Sequence, residues 1–307
     1  MKILISGGCG FLGRNLIPLL SEAGNQIICV DRSEGDFLKA CAAEFVYADL
    51  TEGPLPDHIF EGVDVVIHMA CTLLPGMANS DPLQDMTINI GGALHLLDSA
   101  VKNKVRKVIF FSSGGTVYGI PHSLPVPEDH PLNPQCAYGI SKLAIEKYMR
   151  LYRSLYGIKT CSLRLSNPYG PHQRVKATQG VIPVFCYKAL MGEPIEIWGD
   201  GSVRRDFIYI DDVISAISQV VYLEDPPEEL NIGSGKATSI NELLKLIAEV
   251  TGKKLDCRFT ATRNCDVPVS MLDISRIKSL LPWVPRISLK EGLQKTVEFI
   301  SKSEINC

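Results

Sequence analysis

The sequence predicts an α/β fold in which a doubly wound parallel sheet is joined to a smaller mixed α/β domain. Three observations predict it. Short apolar runs alternate with helical patterns through the first half of the chain. A glycine triplet, Gly7, Gly10 and Gly13, falls between the first apolar run and the first helix. After Asn167 the segments shorten and turn rich in Pro and Gly, as in Asn167-Pro168-Tyr169-Gly170-Pro171.

The elements follow in order. Lys2–Ile5 reads as a strand, Phe11–Glu22 as a helix, Gln26–Val30 as a strand and Glu44–Tyr47 as a short third strand. Val63–His68 is the next strand. Pro82–Lys102 reads as one long amphipathic helix, with Leu94, Leu97 and Val101 on one side. Lys107–Ser112, a helix at Tyr138–Leu155 and a strand at Lys159–Leu163 complete the alternation. Continuous apolar strands between helices are those of a parallel sheet covered on both faces. Beyond it, helices are expected at Ile182–Met191, Asp211–Leu223, Ser239–Thr251 and Leu289–Ser301, and strands at Ile195–Trp198 and Leu255–Phe259. The domains are expected at 1–167 and 168–307, with the chain free to cross back to the first.

Composition narrows the function. A chain of 307 residues with a formal net charge of -3 lacks the clustered cations that a nucleic-acid-wrapping surface needs. No apolar run approaches the ~20 residues of a membrane helix, and Met1-Lys2 leads straight into Ile3-Leu4-Ile5. The ten cysteines are scattered, with no Cys-x-x-Cys pair, so no metal site is expected. They read as reduced thiols of a cytoplasmic protein.

The glycine triplet carries the first chemical signal. At the start of a βαβ pattern, such glycines allow a tight turn and a close approach of backbone to a pyrophosphate. The following helix N-terminus supplies unpaired N–H groups and a positive dipole end. This is the dinucleotide turn of a Rossmann fold. Asp31 ends the second strand, where an acid meets the adenosine ribose hydroxyls, and this favours NAD over NADP. Arg32 is a possible receiver of the extra NADP phosphate, but reads better as a solvated surface arginine. Asp49, followed by Leu50, suits a contact to the adenine amine or, equally, a turn cap.

The second signal is Tyr138-Gly-Ile-Ser-Lys142 at the opening of a helix. Residues four apart share a face, so phenol and ammonium can point into one cleft. A free phenol, with a pKa of ~10, is a poor base at neutral pH. A neighbouring ammonium favours the phenolate, which then takes a proton from an alcohol. Ser112, Ser113 and Thr116 lie at the end of the fifth strand, where small hydroxyls can meet a sugar oxygen or cap the strand.

With these residues the chain resembles the extended short-chain dehydrogenase/reductases, and among them the UDP-glucose 4-epimerase-like sugar epimerases. The resemblance spans nearly the whole length. It rests on Gly7 to Gly13, Asp49-Leu50, His68-Met-Ala70, Asn89-x-x-Gly92, the run Ser112 to Gly119, and Tyr138-x-x-x-Lys142. In the second half it rests on Arg164-Leu-Ser-Asn167-Pro-Tyr-Gly-Pro, Gly199 to Asp212, Asn231-Ile-Gly-Ser-Gly and Arg263-Asn-Cys-Asp266.

The resemblance implies Tyr138 as general base and Lys142 as its tuner and nicotinamide-ribose ligand. It implies NAD held by the glycine turn with Phe11 and Leu12, by Asp31, Arg32, Asp49 and Leu50, and by Ala70, Asn89 and Ser112. Asn167, Arg205, Arg263 and Asp266 would grip the diphosphate of a nucleotide sugar, as bidentate arginines can. For Arg205 the bland alternative is an ion pair with Asp206, and for Arg263 and Asp266 a surface ion pair.

The implied reaction is inversion of C4 of a UDP-hexose through a transient 4-keto sugar, by a homodimer whose Pro82–Lys102 and Tyr138–Leu155 helices form a four-helix bundle. The chain departs from the family where Gly114 stands in place of the usual catalytic Ser or Thr, leaving Ser113 or Thr116 to supply the hydroxyl. It also lacks a lysine after Ala70, which bears on the choice of sugar. Gly115 and Thr116 stand where 4,6-dehydratases carry Asp and Glu, which demotes a dehydratase. A decarboxylase and a 4-ketoreductase stay open. A non-catalytic NAD-sensing regulator is disfavoured by the intact Tyr138/Lys142 pair.

Overall fold

The computed structural model describes residues 1–71, 75–175, 180–262 and 267–304. Its strands, in chain order, are β1 (Lys2–Ser6), β2 (Gln26–Asp31), β3 (Glu44–Tyr47), β4 (Val65–His68), β5 (Lys107–Ser113), β6 (Lys159–Leu165), β7 (Asn167–Tyr169), β8 (Ile195–Trp198), β9 (Arg204–Tyr209), β10 (Glu229–Ile232), β11 (Ala237–Ser239) and β12 (Cys257–Thr260). Its α-helices are α1 (Phe11–Glu22), α2 (Phe37–Ala40), α3 (Pro75–Ser80), α4 (Pro82–Asp85), α5 (Gly91–Lys102), α6 (Ala137–Tyr156), α7 (Val181–Met191), α8 (Ile210–Tyr222), α9 (Ile240–Thr251), α10 (Ser275–Leu280) and α11 (Leu289–Glu304).

Seven strands form one sheet in the order β10-β6-β5-β4-β1-β2-β3. The pairs β1/β2, β2/β3, β1/β4, β4/β5 and β5/β6 are parallel. The strand order reverses between β1 and β4, and a parallel sheet opens a ligand crevice at the carboxyl ends of the strands flanking such a reversal. The sequence ends β1 with Ser6-Gly7 and β4 with His68-Met69-Ala70, so both motifs arrive at that point.

Two compact units divide the chain. The first comprises Met1–Gly119, Pro131–Leu165 and Ile214–Leu230, and the second Ile120–His130, Ser166–Val213 and Asn231–Cys307. In the first, Leu4, Val66, Val108 and Phe110 from the strands pack with Leu96, Leu97, Ile145 and Met149 from α5 and α6. In the second, β7, β9 and β11 form a three-stranded sheet, and β8 pairs with β12 in parallel. Strand β9 was not expected from the sequence, because Arg204-Arg205-Asp206 breaks its apolar pattern. It forms because Asp206, fully buried, accepts from the amides of Ser234 at 2.8 Å, Gly235 at 3.3 Å and Leu272 at 3.2 Å.

The long helix expected at Pro82–Lys102 is not uniform. It runs as α4, then a π-turn at Met86–Ile90, then α5. Asp81 caps its start by accepting from the Gln84 amide at 2.9 Å. In the widened turn, Asn89 donates to Asp85 at 2.8 Å. Gly91 and Gly92 follow at once and hold helical geometry weakly. Gly92 has a packing reason: a Cβ there would stand 3.1 Å from Leu50 Cβ.

An ion pair locks α6 to the sheet. Arg164 of β6 and Glu146 of α6 are both buried, with Nη2–Oε2 at 2.7 Å and two further Nε contacts at 3.1 and 3.2 Å. Ser112 at the end of β5 donates to Glu146 at 2.5 Å, and Arg164 donates to the Tyr118 hydroxyl at 3.0 Å. Burial favours the neutral guanidine, but Glu146 and Tyr118 outweigh it and hold Arg164 above the usual arginine range. Removing one partner strands a buried charge. Glu146→Gln or Arg164→Met should each cost about 3–5 kcal/mol in denaturant unfolding, and the double variant markedly less than the sum.

Candidate active site

The glycine turn is built for a close backbone approach. Gly7 has φ +75°, and a Cβ on it would lie 2.6 Å from Ala70 Cα. That contact draws the end of β4 against the turn and assigns Ala70 a backbone role. Gly13 in α1 sits so close to Gly8 that a side chain would overlap its carbonyl. The Gly10 amide donates to Gly7 O at 3.2 Å, and Gly10 caps the helix without a side-chain capping hydrogen bond. Phe11 and Leu12, half-buried, form its first turn.

Asp31 ends β2 with one oxygen accepting from the Cys9 amide of the glycine turn at 2.9 Å and the other from the Arg32 amide at 2.7 Å. The acid thus orders the turn that would receive the pyrophosphate. Arg32 is not merely solvated: its guanidinium lies 3.6 Å from Asp49. The amide of Thr51 donates to Asp49 at 2.9 Å, and this bond, with Arg32, holds the Asp49 carboxyl below the usual range. Leu50 is buried in the core, and its carbonyl meets His95 Nδ1 at 3.0 Å.

Tyr138 opens α6 one turn before Lys142. The Lys142 ammonium is buried, donates to Phe111 O at 2.8 Å, and lies 5.5 Å from the Tyr138 ring centroid and 4.7 Å from that of Phe110. Burial pushes the Tyr138 phenol above its ordinary pKa, and Cys71, Cys136 and Asp85 push the same way. Lys142 is therefore the cation at hand that can draw the phenol toward phenolate. His68 stacks on Phe110 and shares a 2.7 Å hydrogen bond with Ser6; burial, then Lys142, depresses it to about 3, so it stays neutral.

The hydroxyls divide by partner. Ser112 is committed to Glu146. Ser113, half-buried, ends β5, and its carbonyl accepts from the amides of Thr116 and Val117 at 3.2 and 3.1 Å. That turn packs on α6 because the residue after Tyr138 is Gly139: a Cβ there would stand 3.2 Å from Thr116 Cβ. Thr116 is thereby held beside the turn that carries Tyr138.

In the second unit, Asn167 donates to Asp206 O at 3.1 Å. Arg205 does not take up the Asp206 carboxylate, which backbone amides and the Ser234 hydroxyl occupy; it donates to Val267 O at 2.5 Å and Arg204 O at 3.0 Å. Arg263 and Asp266 lie outside the described residues. Sequence reading missed Asp85, Ser141 and Glu146. The available signal was spacing alone: Asp85 stands four residues before Asn89, and Glu146 four after Lys142.

A parallel sheet that reverses at β1/β4, a glycine turn at the reversal and a tyrosine–lysine pair on α6 define a dinucleotide-dependent enzyme of the extended short-chain dehydrogenase/reductase type. The model of the NAD dependent epimerase/dehydratase family matches residues 3–233, and the chain belongs to that family. It is 35% identical to a UDP-glucose 4-epimerase of Mycolicibacterium smegmatis, over 97% of this chain and 98% of that one. It is 33% identical to a dTDP-4-dehydro-6-deoxyglucose reductase of Escherichia coli, over 97% of both. A UDP-glucose 4-epimerase from Thermotoga maritima, solved with UDP-glucose, matches with a TM-score of 0.91 at 34% identity, over 99% of this chain and 100% of that one. NAD is the cofactor, and the side-chain-free cradle at Gly7 and Gly10 fits its pyrophosphate.

Two expectations follow. Asp31→Ser should weaken NAD binding by about 10- to 100-fold in a calorimetric titration, the scale of a hydrogen bond to a charged group. Activity that needs phenolate rises with pH through the Tyr138 pKa. Lys142→Met should therefore move the acid limb of the kcat profile up by about one to three pH units.

Proposed function

We propose that this protein inverts C4 of a UDP-hexose through a transient 4-keto sugar. The observation that carries the reading is the Tyr138–Lys142 pair on one face of α6, in a chain similar over almost its whole length to UDP-glucose 4-epimerases. NAD, when bound, supplies a reversible hydride acceptor. Tyr138 takes the proton of the C4 hydroxyl as that carbon is oxidised, and returns it when the keto sugar is reduced on its other face. Lys142 holds the phenol toward phenolate, and Thr116, with Ser113, offers the hydroxyl that the chain lacks at Gly114. Asn167, Arg205, Arg263 and Asp266 take the nucleotide diphosphate. Placing most of the binding on the nucleotide leaves the sugar free to turn.

The holoenzyme should convert UDP-galactose to UDP-glucose, or the N-acetyl pair, without added cofactor, with products separated by chromatography. Tyr138→Phe should lower kcat by about 10²- to 10⁴-fold. A second reading, 4-keto sugar reduction, is favoured by the similarity to the dTDP-4-dehydro-6-deoxyglucose reductase. It requires stoichiometric consumption of reduced cofactor, which the same assay reads.

The same reading makes the protein a homodimer working in the cytoplasm. On α6, Tyr148, Leu151 and Leu155 form an exposed stripe at helical spacing, and Leu83 and Met86 are exposed on α4 and the π-turn. Exposed apolar side chains in such a row support a surface that another copy covers. Among the described residues, Cys9 and Cys29 stand with sulfurs 3.8 Å apart and no disulfide between them, which is compatible with a reducing compartment. Leu151→Arg should convert the dimer to a monomer in light scattering.

A further inference from the structure

Asp85 closes α4, opens the π-turn and is fully buried. Its two oxygens serve two elements. Oδ1 accepts from Asn89 Nδ2, four residues on, at 2.8 Å. Oδ2 accepts from Ser141 Oγ on α6 at 2.6 Å. Ser141 lies three residues after Tyr138 and immediately before Lys142. A buried carboxylate bound only through neutral donors is costly compared with an amide or an apolar residue of the same size. The π-turn beside it is a local geometry that recurs at functional sites.

We propose that Asp85 is a positioning residue of the reaction: it ties the Asn89 amide, on the π-turn, to the helical turn that carries Tyr138 and Lys142, and so fixes a cofactor ligand and the general base relative to one another. The proposal rests on the roles given above to Tyr138 and Asn89. It also has an electrostatic consequence. The titratable groups facing Tyr138 are Lys142 on its own helix, Cys136 just before it, Cys71 after β4, and Asp85 from α4. Among these Asp85 is the carboxylate, and it opposes the phenolate that Lys142 favours.

The test compares NAD-loaded wild type with Asp85→Asn and Ser141→Ala, reading kcat against pH, the NAD dissociation rate and thermal midpoint. Asp85→Asn should lower kcat by about 10- to 100-fold through misplacement, speed NAD release, and move the acid limb of kcat down by about one pH unit as the opposing charge is removed. Ser141→Ala keeps the charge, so it should speed NAD release and lower kcat while leaving the limb in place. An Asp85→Asn enzyme with the wild-type limb and NAD release overturns the proposal. If Asp85→Asn does not fold, Ser141→Ala decides, and wild-type kcat and NAD release in it overturn the proposal. Full activity in Tyr138→Phe removes the base assignment, and this proposal with it. A dead Tyr138→Phe beside a wild-type-like Asp85→Asn removes this proposal alone.

Discussion

The buried pair between Arg164 and Glu146 is the constraint on which the first unit turns. It joins β6 to α6, and through Ser112 and Tyr118 it reaches the end of β5 and the turn beyond it. A surface ion pair would contribute little. This one is buried, bidentate and further hydrogen-bonded to Ser112 and Tyr118, so its geometry is fixed. Glu146 stands one turn after Lys142 and two after Tyr138. Clamping it to the sheet therefore sets the rotation of α6 and presents both residues at the carboxyl edge of the strands. Gly139 adds a second fastening at the helix start, where Thr116 presses against it.

Electrostatics around α6 are balanced rather than uniformly favourable. Burial and three neighbours favour the protonated Tyr138 phenol, and the Lys142 ammonium, 5.5 Å from its ring centroid, is placed to oppose them. His68 is excluded as a competing cation, because burial keeps it neutral. A phenol in such surroundings responds to small changes in local charge, as the proposed acceptance and return of a proton requires. Commitment of the glycine turn to Asp31, and of Arg32 to Asp49, shows the same economy at the other end of the sheet: the side chains proposed to meet the dinucleotide also order one another.

Much of this was legible in the sequence. The alternation of apolar runs and helices gave the parallel sheet, and α1, β3 and β8 fall on the expected residues. Glycines at 7, 10 and 13 marked the turn, and at Gly7 and Gly13 a side chain would collide with neighbouring backbone. What escaped reading had a physical cause. The π-turn at Met86–Ile90 follows from a side-chain bond between Asp85 and Asn89, which periodicity does not report. Strand β9 is hidden by three charged residues, whose partners include distant positions such as Ala237, Glu242, Val267 and Ser234. The Arg164–Glu146 pair joins residues 18 positions apart in sequence on two elements, and each alone looks like an ordinary surface charge.

The proposed reaction is a reversible oxidation of one sugar carbon, with hydrogen leaving and returning within a single binding event. UDP-galactose deuterated at C4, incubated with the NAD-loaded protein in ordinary water and followed by mass spectrometry and NMR, tests it most directly. UDP-glucose that retains the deuterium at C4 is the expected product. UDP-glucose carrying protium there would contradict it.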